Sequence, residues 1–371
     1  MERQVISRIY QGVKMNPILP ALAIMNIARC TFHPLERHLL AGYSFAPRSI
    51  SIMITDRCNL RCRMCHYANS ESPEFGLNRA GYMPLSLFER ILETCPGKPV
   101  ISLTGGEPLL HPQVSEFVHE LKDRGFYSTL TTNGSLLQSK AAQLCDSKLD
   151  LLVVSIDGDQ QTHDQIRSSG SFEKAVTGIQ EILKRPDRPL VGISTVITDV
   201  NNQELEKSFM LAESLGVDLL HFNHLWIQTE KMTIEQKNTP GLRQSGQVLW
   251  DVNTQNVDGS RVYDSIQSMH KRKHHFVMHV YPDMDREETS IYYNQPERLV
   301  KVRDSRCAWQ VTRIYPDGEV GICREYHAGN VQDQPLKEIW NNQKYRRFRQ
   351  YLAKKGTCPI CQRCCLLFSR M

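Results

Sequence analysis

Three cysteines, Cys58, Cys62 and Cys65, stand four and then three positions apart in ITDRCNLRCRMCHYAN. As thiolates they can hold a metal without saturating it. A closed zinc site wants four ligands, whereas a cubane 4Fe-4S cluster on three cysteines leaves one iron open to a substrate or cofactor. Free thiols packed in a core would have no reason for this spacing. A second set lies at the other end: Cys307, Cys323, Cys358, Cys361, Cys364 and Cys365, the last four inside TCPICQRCC. These can supply a second metal centre. A zinc ribbon built from two close pairs fits poorly, because Cys307 and Cys323 are far apart.

Between the two sets lie short polar motifs: TGGEP at Thr104 to Pro108, Thr132-Asn133-Gly134, and Ser155-Ile156-Asp157-Gly158. The tandem glycines Gly105 and Gly106 let backbone approach a ligand, and Glu107 can accept from an ammonium group. Alone, each motif would be a turn signal. The elements that must position them read as strands at 49–54, 100–104, 127–132, 151–155, 191–198 and 219–225. Helical stripes alternate with the strands, among them Leu87, Phe88, Ile91, Leu92 and Val114, Phe117, Val118, Leu121. Strand–helix alternation predicts a parallel sheet curved into a partial barrel. Every motif then falls at the C-terminal end of a strand, where such barrels carry their sites.

The triad followed by TGGEP resembles the radical SAM superfamily. The segment SIDGDQQTHDQIRSSGSFEKAV resembles the fourth barrel unit of members with a cysteine-rich C-terminal extension, the SPASM and Twitch groups. The resemblance covers about residues 49–226 and 305–368. It implies a partial (β/α)6 barrel of the TIM type with a small cysteine-rich C-terminal domain. It also implies a 4Fe-4S cluster whose open iron binds S-adenosylmethionine and, when reduced, cleaves it to a 5'-deoxyadenosyl radical that takes a substrate hydrogen. By the same likeness Ser155 and Arg167 contact S-adenosylmethionine, Gly106 meets its methionine end beside Gly105, Glu107 and Asn133, and Met64 lies near the adenine, where relatives carry an aromatic residue. RIYPDGEVGIC resembles the hairpin opening a SPASM or Twitch domain. The chain carries fewer cysteines there than the two-cluster form, so one auxiliary 4Fe-4S cluster is expected, on Cys307, Cys323, Cys361 and Cys364, with Cys358 able to replace one of them. A flavodoxin- or ferredoxin-like reductant is implied. Relatives with this layout act on peptides, sulfatase side chains and sugar-like molecules, with oxidation, crosslinking or epimerisation as outcomes. The opposing class, a non-catalytic iron-sulfur or zinc scaffold, would make the Gly-Gly-Glu and Ser155/Arg167 matches accidental. The catalytic acid or base is not legible.

Forty-five Lys and Arg against 40 Asp and Glu leave a net charge of +5 over 371 residues, and no basic motif points to nucleic acid. Twelve cysteines in a chain without a signal peptide read as metal ligands in a reducing cytoplasm. The longest apolar run, Ile18 to Ala28, falls short of the roughly 20 residues that span a bilayer. The expected order is a helical preamble (1–48), the barrel (49–230), a substrate-shaping region (231–304) and the cluster domain (305–371). In the preamble Val5, Ile6, Ile9, Tyr10 and Val13 form a stripe beside Arg3, Arg8 and Lys14. That stripe could cover the barrel or seat on a membrane surface. No peptide-recognition domain fits in 48 residues, which weakens the peptide hypothesis, and the expected partner is a small-molecule or peptide substrate. The run Lys271 to His275 reads as a solvated helix end, His163 as a helix-cap or loop polar, and Phe276 to Tyr281 as one more strand.

Overall fold

The computed structural model describes residues 36–37, 39–69, 80–239, 256–295, 298, 305–323 and 326–364. Both apolar stretches of the preamble, Val5 to Val13 and Ile18 to Ala28, lie outside these residues, as does Cys365. Among the described residues no helix is long and apolar enough to cross a membrane.

Seven parallel strands form the body: β1 (Ser49–Thr55), β2 (Val100–Gly105), β3 (Ser128–Thr132), β4 (Leu151–Ser155), β5 (Leu190–Ile197), β6 (Leu219–His224) and β7 (Val277–Tyr281). All six expected strands are present, shifted by at most one residue at either end, and the 276–281 segment supplies the seventh. They form because β-branched and leucine side chains recur with period two. One face of each strand is apolar and buried, as with Ile50, Ile52, Ile54, Leu103, Leu152, Val154, Ile193 and Phe222. The crossover helices cover that face: α1 (Leu85–Glu93), α2 (Val114–Asp123), α3 (Leu137–Asp146), α4 (Gln160–Ile166), α5 (Ser171–Leu183) and α6 (Leu205–Leu215). The stripes expected on α1 and α2 are the residues they bury. Phe88 and Phe117 join the two helices with ring centres 4.5 Å apart, and truncating either to alanine costs about 3–5 kcal/mol.

The opposite face is polar. Ser51, Ser102, Thr104, Thr129, Thr131, Ser155, Ser194, His221 and Asn223 are all half-buried there. This face lines the barrel lumen.

Beyond β6 come α7 (Glu230–Lys237), α8 (Gly259–Lys271) and α9 (Arg286–Asn294). Asp258 caps α8 through the amides of Ser260 and Arg261, and Asp285 with Glu288 forms a capping box on α9. The cysteine-rich segment adds α10 (Cys307–Gln310), β8 (Val311–Ile314), β9 (Glu319–Cys323), β10 (Tyr326–Asn330), α11 (Leu336–Ile339) and α12 (Gln343–Lys355). Strand β8 pairs parallel with β1, from Ser49↔Val311 to Ile52↔Ile314, and β9 and β10 follow antiparallel. The hairpin turn falls at Pro316-Asp317-Gly318, where Gly318 takes φ +82°, the left-handed region open to glycine. One sheet therefore runs β10-β9-β8-β1-β2-β3-β4-β5-β6-β7 without closing. Its free edge at β7 leaves the partial barrel open.

Candidate active site

The loop after β1 carries the first three cysteines, and the loops after β2 and β3 and the end of α4 hold it. Gly106 N donates to Thr55 O (2.9 Å) and Glu107 N to Arg57 O (2.7 Å), so the loop after β2 continues the parallel pairing into this segment. A Cβ on Gly105 would stand 2.3 Å from Thr55 O, and one on Gly106 2.3 Å from Arg57 O. In this structure the tandem glycines serve the approach of one backbone to another. From β3, Asn133 Nδ2 donates to Asn59 Oδ1 (3.0 Å), and Asn59 Nδ2 donates to Ser135 Oγ (2.8 Å). From the fourth unit, Ile166 O accepts from Arg63 N (2.9 Å).

Each sulfur in the loop faces a donor. Leu60 N points to Cys58 Sγ (3.5 Å), Ala68 N to Cys65 Sγ (3.4 Å) and Arg167 Nη1 to Cys62 Sγ (3.9 Å). Donors around sulfur stabilise a metal-bound thiolate, so this set fits a three-cysteine cluster. Burial pushes the Cys62 thiol up to about 11, with Arg167 pulling the other way, and burial also raises Cys58. A metal must displace those protons to bind. Among the described residues no three Cys, His, Asp or Glu side chains are drawn into a metal shell, although the charges of Cys58 and Cys65 both reach Cys62.

Arg167 follows α4 and is held by Asp157, fully buried, whose Oδ2 accepts from Arg167 Nε at 2.5 Å. Val196 N fixes the other oxygen of Asp157 (2.9 Å), and Asn201 Nδ2 fixes its carbonyl (3.1 Å). The guanidinium thus spans a carboxylate and the Cys62 sulfur. His163 is fully buried beside it, its Nδ1 accepting from Asp157 N (3.2 Å), and burial draws it down to about 4. The expectation of a cap or solvated loop polar is corrected, because α4 turns this side chain under the strand ends. Asp157, part of a polar motif that alone would be a turn signal, is also in the core of the site. Glu107 is fully buried and accepts from Leu109 N (3.0 Å), Thr132 Oγ1 (2.7 Å) and Asn133 N (2.7 Å). Burial raises its carboxyl against those three bonds. Met64 packs at the margin of the core. Ser155 ends β4 half-buried on the lumen face.

The second thiol set gathers where the C-terminal segment folds back. Cys307 begins α10 with Sγ 3.3 Å from Ser305 Oγ, Cys323 ends β9, and the turn after α12 brings Cys358 and Cys361 together, sulfurs 3.0 Å apart. Ser305 N donates to Gly356 O (3.0 Å), tying the first of these stretches to the last. Tyr292 Oη lies 2.6 Å from Leu225 O and 2.7 Å from Arg363 O, which anchors the segment to the exit of β6. The Cys361 contact and then burial hold the Cys358 thiol well above its ordinary value; the same contact draws Cys361 down. Burial, then the charge of Cys361, pushes Cys307 up to about 12. Cys307, Cys323, Cys358 and Cys361 therefore feel one another's charge, and Cys364, half-buried, donates its N–H to Cys361 O (3.1 Å).

Residues 52–212 match the radical SAM superfamily, and residues 306–365 match the SPASM iron-sulfur cluster-binding domain. The chain belongs to the radical SAM superfamily. This radical SAM protein is 29% identical over 338 residues to the AdoMet-dependent heme synthase of Methanosarcina barkeri, spanning 85% of its own chain and 89% of the relative. It is 27% identical over 331 residues to the tungsten-containing aldehyde ferredoxin oxidoreductase cofactor-modifying protein of Pyrococcus furiosus, covering 84% and 86% of the two chains. Its fold is that of SuiB from Streptococcus suis, solved with the precursor peptide SuiA, at TM-score 0.62 and 15% identity over 91% of this chain and 75% of that one. Family membership brings a 4Fe-4S cluster and S-adenosylmethionine to the barrel and auxiliary iron-sulfur to the C-terminal segment.

Across the lumen of this radical SAM protein the strands place a row of polar side chains in register: Ser155↔Ser194, Ser194↔His221 and His221↔His279. Asn223 Nδ2 donates to Ser194 Oγ (2.9 Å) beside the row. Burial lowers His221 to about 4. Sequence reasoning singled out Ser155 but not Ser194, His221, Asn223 or His279. The signal was there in LLHFNH, where His221, Asn223 and their neighbours alternate, but which face is the lumen follows only from the register.

Proposed function

We propose that the protein is a radical SAM oxidoreductase that takes a hydrogen atom from a small-molecule substrate held in the polar lumen. Carrying this reading is Arg167, buried between Asp157 and the Cys62 sulfur, because it joins the thiol triad and the fourth strand end in one constellation. When bound, the first cluster with S-adenosylmethionine supplies the hydrogen-abstracting radical and the second cluster a one-electron acceptor. Cys58, Cys62 and Cys65 would hold the first cluster, with the donors from Leu60, Ala68 and Arg167 stabilising their thiolates. Arg167 would also reach the carboxylate of S-adenosylmethionine as a fixed, charge-assisted donor, with Ser155 beside it. Gly106, Glu107, Asn133 and Met64 would complete that pocket. Cys307, Cys323, Cys358 and Cys361 would hold the second cluster, with Cys358 favoured over Cys364 by its contact with Cys361.

A small-molecule substrate is supported by relatives matched over most of their length, whose names speak of heme and of an enzyme's cofactor. The likeness to SuiB is one of fold. Reductive cleavage of S-adenosylmethionine by the anaerobically reconstituted protein, with a flavodoxin or ferredoxin as reductant, tests the reading. It should yield 5'-deoxyadenosine, and the Cys58→Ala, Cys62→Ala, Cys65→Ala triple variant should yield none while keeping the iron of the second site. Cleavage by the triple variant, or none by the intact protein, would refute it.

A further inference from the structure

His221 and His279 are direct partners across β6 and β7, their rings edge to face with centres 5.6 Å apart. Tyr281 completes a triangle, 5.9 Å from each ring centre. No side-chain polar atom of these three residues hydrogen-bonds to a described residue, and His221 Nε2 is buried without a partner. Two histidines that line the neighbouring cavity differ, His224 Nδ1 meeting Tyr293 Oη at 2.8 Å and His270 Nδ1 meeting Ile266 O at 3.1 Å, whereas His163 Nε2 is likewise buried without a partner. A buried nitrogen with no partner is costly unless something else supplies one. Next to this triangle, at the free edge of β7, lies a cavity of about 340 Å³ that His279 and Tyr281 also line.

The spacing narrows what that partner is. Two imidazoles on one metal ion, each bonded at about 2.0–2.1 Å, put their ring centres roughly 5–6 Å apart. The observed separation lies in that range, and the two rings sit on paired strands that hold them in place. Imidazole nitrogen suits the iron, nickel, copper and zinc group. A closed structural site is excluded among the described residues, since no third Cys, His, Asp or Glu joins the pair. Open positions would therefore face the lumen. Through Ser194 the pair also stands in register with Ser155, the residue placed beside S-adenosylmethionine.

We propose that His221 and His279, with Tyr281 beside them, bind a transition-metal ion of this group in the lumen. The ion is either free or carried at the centre of a macrocyclic substrate. The inference rests on the reading of the lumen as the substrate chamber. It is tested on cluster-loaded protein under anaerobic conditions with three probes: Zn²⁺ alone by calorimetry, and an iron porphyrin and the same porphyrin without metal by absorbance. His279→Gln and His221→Gln are the variants. His279 is exposed, so its replacement leaves the strand pairing in place, and the iron content of both clusters reports on folding.

Single-site Zn²⁺ binding that weakens at least about tenfold in each variant assigns a free ion. Iron porphyrin that binds at least about tenfold tighter than the metal-free ring, with the difference erased in both variants, assigns a metal carried by substrate. Binding by neither metal probe, or binding unchanged in the variants, overturns the proposal. So does metal-free porphyrin binding as tightly as the iron form when Zn²⁺ does not bind, which would make the triangle a hydrogen-bonding subsite. Formation of 5'-deoxyadenosine by the wild-type protein reports on the earlier reading alone. Protein that cleaves S-adenosylmethionine but holds no metal through these histidines loses only this inference.

Discussion

Replacing Arg167 by alanine removes a buried cation from between Asp157 and Cys62, and two separable losses follow. The first is stability. Asp157 is fully buried, and its Oδ2 would lose the 2.5 Å partner that compensates its burial. Breaking one side of a buried pair costs about 3–5 kcal/mol, most of it the penalty of the charge left behind. Removing both partners should cost less than the sum of the single losses, because no uncompensated charge remains, with a coupling of at least about 1–3 kcal/mol. Denaturant unfolding of wild type, Arg167→Ala, Asp157→Ala and the double variant completes the cycle. The second loss is affinity: a hydrogen bond to a charged group is worth about 1.5–3 kcal/mol, so S-adenosylmethionine should bind roughly ten- to a hundredfold more weakly. Calorimetry on the cluster-loaded variant reads this. Additive stability losses, within about 0.5 kcal/mol, would refute the buried-pair argument. Unchanged cofactor affinity would refute the placement of Arg167 at S-adenosylmethionine.

Replacing Cys307 and Cys323 together by alanine should leave 5'-deoxyadenosine formation intact and stop substrate turnover, as product analysis would show. Iron analysis of single serine variants should find the second cluster lost with Cys358 and kept with Cys364, since Cys358 touches Cys361 at 3.0 Å. Gly106→Ala would drive a Cβ to 2.3 Å from Arg57 O and displace the cysteine loop, so overpacking of about 1–3 kcal/mol should appear together with loss of iron from the first site. In cluster-free protein the buried Cys62 thiol, raised to about 11, keeps its contribution to stability below the ordinary value of 9.0 and loses it as pH climbs toward 11. Metal loading runs the opposite way, rising with pH over the same range because each thiol must give up its proton. Unfolding and metal titrations at stepped pH check both signs, and flat profiles would show that the thiol is not buried as described.

Much of this protein was legible in one dimension. The six barrel strands and the stripes of α1 and α2 could be read because their apolar periods, two and 3.6, report on burial against a sheet and a helix layer. The Cys58, Cys62 and Cys65 set was legible for a different reason, since its members share one loop, whereas Cys307, Cys323 and the Cys358–Cys361 pair come from separate elements that only the fold brings together. The parallel β8–β1 pairing carried no local signal, since its partners are separated by most of the chain and no spacing rule connects them. Tertiary structure alone decided that Gly105 and Gly106 face backbone, that Asp157 and His163 are buried, and that Cys358 lies against Cys361. Each depends on which elements meet in space. His221 and His279 become partners only when β6 and β7 pair in register, because strand alternation tells which residues share a face but not which strand supplies the neighbour.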